Sequence, residues 1–96
     1  MNMQLIERAN NDAAILSRII QPDRGDLTLA AARALLKLSF TAEDRERMHE
    51  LVVKNQDGTL TKGEKNDLDS FVRVGRLLDL LAAKARLTLK KQSENT

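Results

Sequence analysis

Cysteine is absent from this 96-residue chain, as are tryptophan and tyrosine, and there are one histidine, one proline and two phenylalanines. Without cysteine there is no disulfide framework, no thiolate nucleophile and no Cys-based zinc site. A lone histidine leaves any imidazole metal site without a second nitrogen ligand. The four glycines stand scattered at 25, 58, 63 and 75, so no phosphate-cradling loop can be drawn. No apolar run approaches the roughly 20 residues that cross a bilayer. Met1–Arg8 carries acid and amide side chains where a secretory signal would place a basic stretch and an apolar core. These gaps predict a cytoplasmic, non-membrane protein with no cofactor and no catalytic site of its own.

What is present is helix-forming material. Hydrophobic residues make up 42% of the chain and charged residues 31%, a balance that suits one folded domain rather than a disordered segment. No stretch alternates with period two. The sequence predicts an all-α fold: a small helical bundle built on a helical hairpin, with a long C-terminal helix. A single domain over 1–91 would end in a frayed polar tail at 92–96.

Helical periodicity places a first helix at about 3–20, with Leu5, Ala9, Leu16 and Ile19 on one stripe and Ile6, Ala13 and Ile20 beside it. Pro22 and Gly25 end it. An Ala- and Leu-rich helix follows at about 28–38, capped by Thr28 or Asp26. The third, about 42–55, has Thr41 as cap, with Phe40 set to staple against the Arg45 stem or Met48. It is expected to bury Met48, Leu51 and Val52. Thr61 and Glu64 then form a capping box opening a helix that runs to about Lys91.

That last helix places Leu68, Phe71, Val74, Gly75, Leu78, Leu81, Ala82, Ala85 and Leu89 in one arc, and Arg73, Arg76, Lys84 and Lys91 opposite. Leu80 and Leu87 stand among the basic residues, and Val72 lies at the margin. Either the preceding helices wrap far enough to cover those leucines, or they belong to a partner or self-association surface. The second explanation nominates a partner-binding site: Leu80 and Leu87 as apolar anchors, ringed by Arg73, Arg76, Lys84 and Lys91. Gly75, inside the apolar arc, suggests a close helix–helix approach. Residues 73–96 hold six basic and two acidic side chains, so the pI of about 9.2 reflects a basic C-terminal quarter.

Two motifs invite chemistry. Over residues 53–64, Asn55, Asp57, Gly58, Leu60 and Glu64 match an EF-hand loop, but the first ligand position is Val53. The same letters describe a helix end at Asp57–Gly58 followed by a capping box, the more ordinary explanation. His49 has Glu46 and Glu50 nearby, yet no nucleophile or oxyanion donor set surrounds it, which suits a surface histidine.

The stretch 31–44, then Arg47-Met-His-Glu-Leu, Gly58-Thr-Leu-Thr and 74–87, together resemble a family of small uncharacterised bacterial all-helical proteins, often encoded beside HNH-type nucleases. The resemblance covers about residues 20–91. It implies an intracellular helical protein acting through a partner, in the manner of an antitoxin or accessory subunit, and it carries no catalytic residue. The function expected from the sequence is therefore a non-enzymatic protein–protein interaction module, binding a protein partner or a second copy of itself as an oligomer. The alternative is a nucleic-acid-binding accessory protein whose basic face meets phosphates. Missing aromatic stacking residues, and Asp69 and Asp79 at the stripe's edge, weigh against it.

Overall fold

The computed structural model describes residues 10–94 and contains four helices: α1 (Asp12–Ile20), α2 (Leu29–Leu35), α3 (Ala42–Asp57) and α4 (Lys62–Glu94). The chain is all-α, a small bundle whose spine is the long C-terminal helix. At 1.5 Å per residue, the 33 residues of α4 give an axis of about 50 Å. Among the described residues, α1, α2 and α3 each pack against α4, and no other pair of helices touches. The radius of gyration is 17.4 Å, where a compact chain of this length would have roughly 12 to 13 Å. The arrangement is open, and α4 is the only common partner.

Helix boundaries follow the caps. The Asp44 N–H donates to Thr41 Oγ1 at 3.1 Å to open α3. α3 closes on Gly58, whose φ of 70° lies in the left-handed region where a side chain would be strained. There the Gly58 and Thr59 N–H groups return to the Asn55 and Lys54 carbonyls. The Thr61–Glu64 box is complete: the Glu64 N–H donates to Thr61 Oγ1, and the Thr61 N–H donates to Glu64 Oε1, both at 3.1 Å. Four residues, 58–61, thus turn α3 back along α4 as a hairpin. α2 starts at its Thr28 cap, and Asp26 is used elsewhere.

The first helix does not run unbroken from 3 to 20. Asn11 is extended (φ −81°, ψ 168°), and its side chain accepts from the Ala14 N–H at 2.9 Å, so α1 begins at Asp12. The Asn10-Asn11-Asp12 run supplies a capping signal that interrupts the apolar periodicity. Leu5, Ile6 and Ala9 lie outside the described residues. α2 is shorter than expected, because Leu36–Leu38 leave the helix in a turn. Gln92–Glu94 are helical rather than tail, while 95–96 lie outside the described residues.

Among the described residues the fully buried set is small: Ala32, Leu51, Ala85 and Thr88. Leu51 fulfils its expected place, Met48 is half-buried, and Val52 is 42% exposed because α3 meets α4 along a single narrow face. Within the α4 arc, Ala85 is buried and Val74 is exposed. Phe40 does not staple back onto α3; its ring meets Phe71 edge-on, 5.9 Å between centroids and 67° between planes. It also lies over Gly75, where a Cβ would stand 3.8 Å from the ring, an ordinary contact. The close backbone approach occurs at Gly25 instead. A Cβ there would stand 2.9 Å from the Leu87 carbonyl carbon and the Thr88 nitrogen. Nothing but glycine lets the 21–28 segment lie that close to α4.

Candidate interaction surface

The six nominated residues fall into two groups. Arg73, Arg76 and Lys91 are exposed, whereas Leu80, Lys84 and Leu87 are half-buried. The face holding the second group is not open, as the nomination required. α1 starts beside Arg73, whose Nε lies 3.7 Å from Asp12 Oδ2. It ends at Lys84, whose Nζ donates to the Ile20 carbonyl at 2.9 Å. α1 therefore runs alongside α4 in the same direction, over the 73–84 strip. The segment after it then crosses α4 at Leu87 and Thr88.

Lys84 is the centre of that covering. Its ammonium has three N–H donors and faces three acceptors: the Ile20 carbonyl at 2.9 Å, the Gln21 carbonyl at 3.4 Å and Asp26 Oδ1 at 2.7 Å. The two carbonyls sit at the negative end of α1, where a cation is favoured. The hydrogen bond from Lys84 holds the Asp26 carboxyl below its ordinary range. With its side chain 12% exposed, Lys84 acts inside the fold rather than at a rim. One turn on, the buried Thr88 hydroxyl donates to the Lys84 carbonyl at 2.9 Å and accepts from the Leu27 N–H at 3.3 Å, so its polar atom is satisfied.

A second charged cluster joins α3 to α4. Glu64 takes Lys54 Nζ at 2.6 Å and lies 3.7 Å from Arg47 Nη2, while Arg47 also reaches Glu50 at 3.2 Å. The Lys54 hydrogen bond, followed by the Thr61 backbone N–H, pulls the Glu64 carboxyl down to about 2. The EF-hand-like letters fall on this cluster. Asn55 and Asp57 lie on α3, Glu64 lies in the first turn of α4, and the Glu64 oxygens are committed to a cap and two cations. Among the described residues no group of three or more His, Cys, Asp or Glu side chains is placed to hold a metal ion. His49 is exposed on α3.

The open apolar surface lies elsewhere. Leu38 is 53% exposed, and Leu36 stands beside it at the edge of a concavity of about 280 Å³. Phe40, Gly75, Leu78 and Ala82 line it, with Arg45, Asp79 and Arg86 around them. Further apolar side chains face outward as Ile15 and Ile19 on α1, Val52 and Val53 on α3, and Val72 and Val74 on α4. The Leu35-Leu36-Lys37-Leu38 run carried a signal for this groove. Three leucines in four residues at the end of a seven-residue helix exceed what one helical face can turn inward. No described helix is long and apolar enough to cross a membrane. Comparison with protein-family models, curated proteins and solved structures finds no match for this chain.

Proposed function

We propose that this chain is a non-enzymatic interaction module that works by protein–protein contact, as an accessory or antitoxin-like subunit or by self-association. The observation that supports it is an imbalance of burial. Among the described residues four side chains are fully buried, while eight large apolar ones stand exposed, at least one on each helix or at its edge. Scattered surface leucines and valines are ordinary. Here two of them instead edge a concave, arginine-flanked groove next to an aromatic pair, and apolar anchors inside a charged rim suit a compact interface. The groove of Leu36, Leu38 and Phe40 is the first contact surface to test, ahead of the half-buried Leu80 and Leu87.

The test combines solution mass with capture from a host lysate treated with nuclease. The expected result is a dimeric or higher mass, or a stoichiometric protein retained through moderate salt. Leu36→Asp with Leu38→Asp should abolish whichever is seen. If the double variant matches wild type in both, the groove is not the interface. If nucleic acid is recovered instead, lost steeply as salt rises, the contact is with phosphates. That alternative has one cation fewer to work with, since Lys84 is occupied internally.

A further inference from the structure

α1 is attached in an unusual way. Among the described residues it buries no side chain completely and touches α4 alone. Its less exposed residues are Ala13, Ala14, Leu16 and Ile20, of which 13, 16 and 20 are spaced by three and four and fall on one helical face. Ile19 on its other side is 72% exposed. A nine-residue helix is too short to persist alone in water, so α1 depends on the strip beneath it. That strip has its own spacing: 73, 77, 80, 84, 87 and 91 alternate by four and three, reading Arg, Leu, Leu, Lys, Leu, Lys. An apolar seam interrupted by cations at this period is the surface an antiparallel or parallel helix packs on. The polar contacts sit at its two ends, Asp12 opposite Arg73 and the terminal carbonyls of α1 on Lys84.

We infer that α1 is a displaceable cover on a helix-binding strip of α4, and that a partner's amphipathic helix takes the same strip when α1 lifts. The inference rests on the interaction-module reading and assigns it a second, regulated surface. The present occupant defines the chemistry of the replacement. It must carry apolar residues at three- and four-residue spacing, a carboxylate near its N-terminal end for Arg73, and acceptors at its C-terminal end for Lys84. The tether permits the exchange. Gly25 and Leu27 stay fixed to α4 at Leu87 and Thr88. Between them and α1, Gln21 is in the left-handed region at φ 53° and Pro22 has no N–H to give up. α1 can leave α4 without dragging α2 with it.

A fluorescently labelled peptide of residues 10–24 is the probe, titrated by anisotropy into the full chain. In wild type the chain's own α1 competes. Leu16→Asp weakens that competitor, and the peptide should bind this variant at least about ten-fold more tightly than wild type. Adding Lys84→Glu to Leu16→Asp should abolish the gain. Amide protection at Leu51 verifies that the α3–α4 hairpin is intact in each variant. Absence of peptide binding to a folded Leu16→Asp chain overturns the inference, as does equal affinity for wild type. Displacement of a pre-existing dimer by the peptide would assign the strip to α1 of a second copy and overturn the partner-helix assignment. The peptide reads only the strip under α1, so these outcomes are independent of the Leu36/Leu38 test.

Discussion

The α3–α4 hairpin and the α1 segment both pack on the same helix, yet they are held in opposite ways. The hairpin is specified locally. A cap at Thr41, a left-handed Gly58 and a reciprocal Thr61–Glu64 box set its geometry within a stretch of 24 residues from 41 to 64. Leu51, fully buried, then anchors it. α1 has its own N-cap, but its position depends on one lysine more than sixty residues away and on a glycine that lets the chain lie against α4. Apolar burial is hard to reverse piecemeal, whereas a nine-residue helix held at its ends by polar contacts can detach without unfolding the rest. The difference separates what keeps the molecule folded from what it can present.

Substitutions should separate the two regions, beginning with the largest effect. Leu51→Ala empties a fully buried position, and such truncations cost about 2 to 5 kcal/mol. Urea unfolding should show the loss as a lower midpoint for the α3–α4 hairpin. Gly25→Ala places a methyl 2.9 Å from backbone atoms of Leu87 and Thr88, and neither can rotate away. The cost should be about 1 to 3 kcal/mol, with α1 and the 21–28 segment losing amide protection first.

Thr61→Ala removes one side of the capping box and should cost about 1 kcal/mol, read as a lower urea midpoint at constant slope. The same box has a pH signature. Glu64 titrates at about 2 in the folded chain, below its ordinary 4.5, so its contribution is complete above pH 4.5. That contribution is lost as pH falls from 4.5 towards 2. Glu64→Gln should flatten the stability profile in that window and leave it unchanged near neutrality apart from a constant offset. The smallest effect belongs to Val52→Ser on the exposed side of α3, expected within about 0.5 kcal/mol. A change in oligomeric mass without a change in stability would make Val52 part of an interface.

The local signals were readable in the sequence. Thr41, Thr61–Glu64, Gly58 and the start of α4 are stated by short-range chemistry, and all stand in the structure. Leu80 and Leu87 were legible as anomalies, apolar residues on a basic face, and what covers them was not. Neither Lys84 donating to carbonyls at 20 and 21 nor Gly25 against Leu87 leaves a trace in periodicity, because each depends on where a loop crosses a helix. Lys84 looked like one more solvated cation on a stripe. Its three acceptors distinguish it from Arg76 and Lys91, and nothing in the residue type could have done so.

Residue-resolved hydrogen exchange on the wild-type chain tests most directly the claim that α1 is a separately held cover. The account predicts that amides of Leu16–Ile20 exchange through a local opening, well before those around Leu51 in α3 and Ala85 in α4, and that Lys84→Met accelerates the first group alone. Equal protection of α1 and α3, lost together and moved together by Lys84→Met, would contradict it. The four helices would then be one cooperative unit.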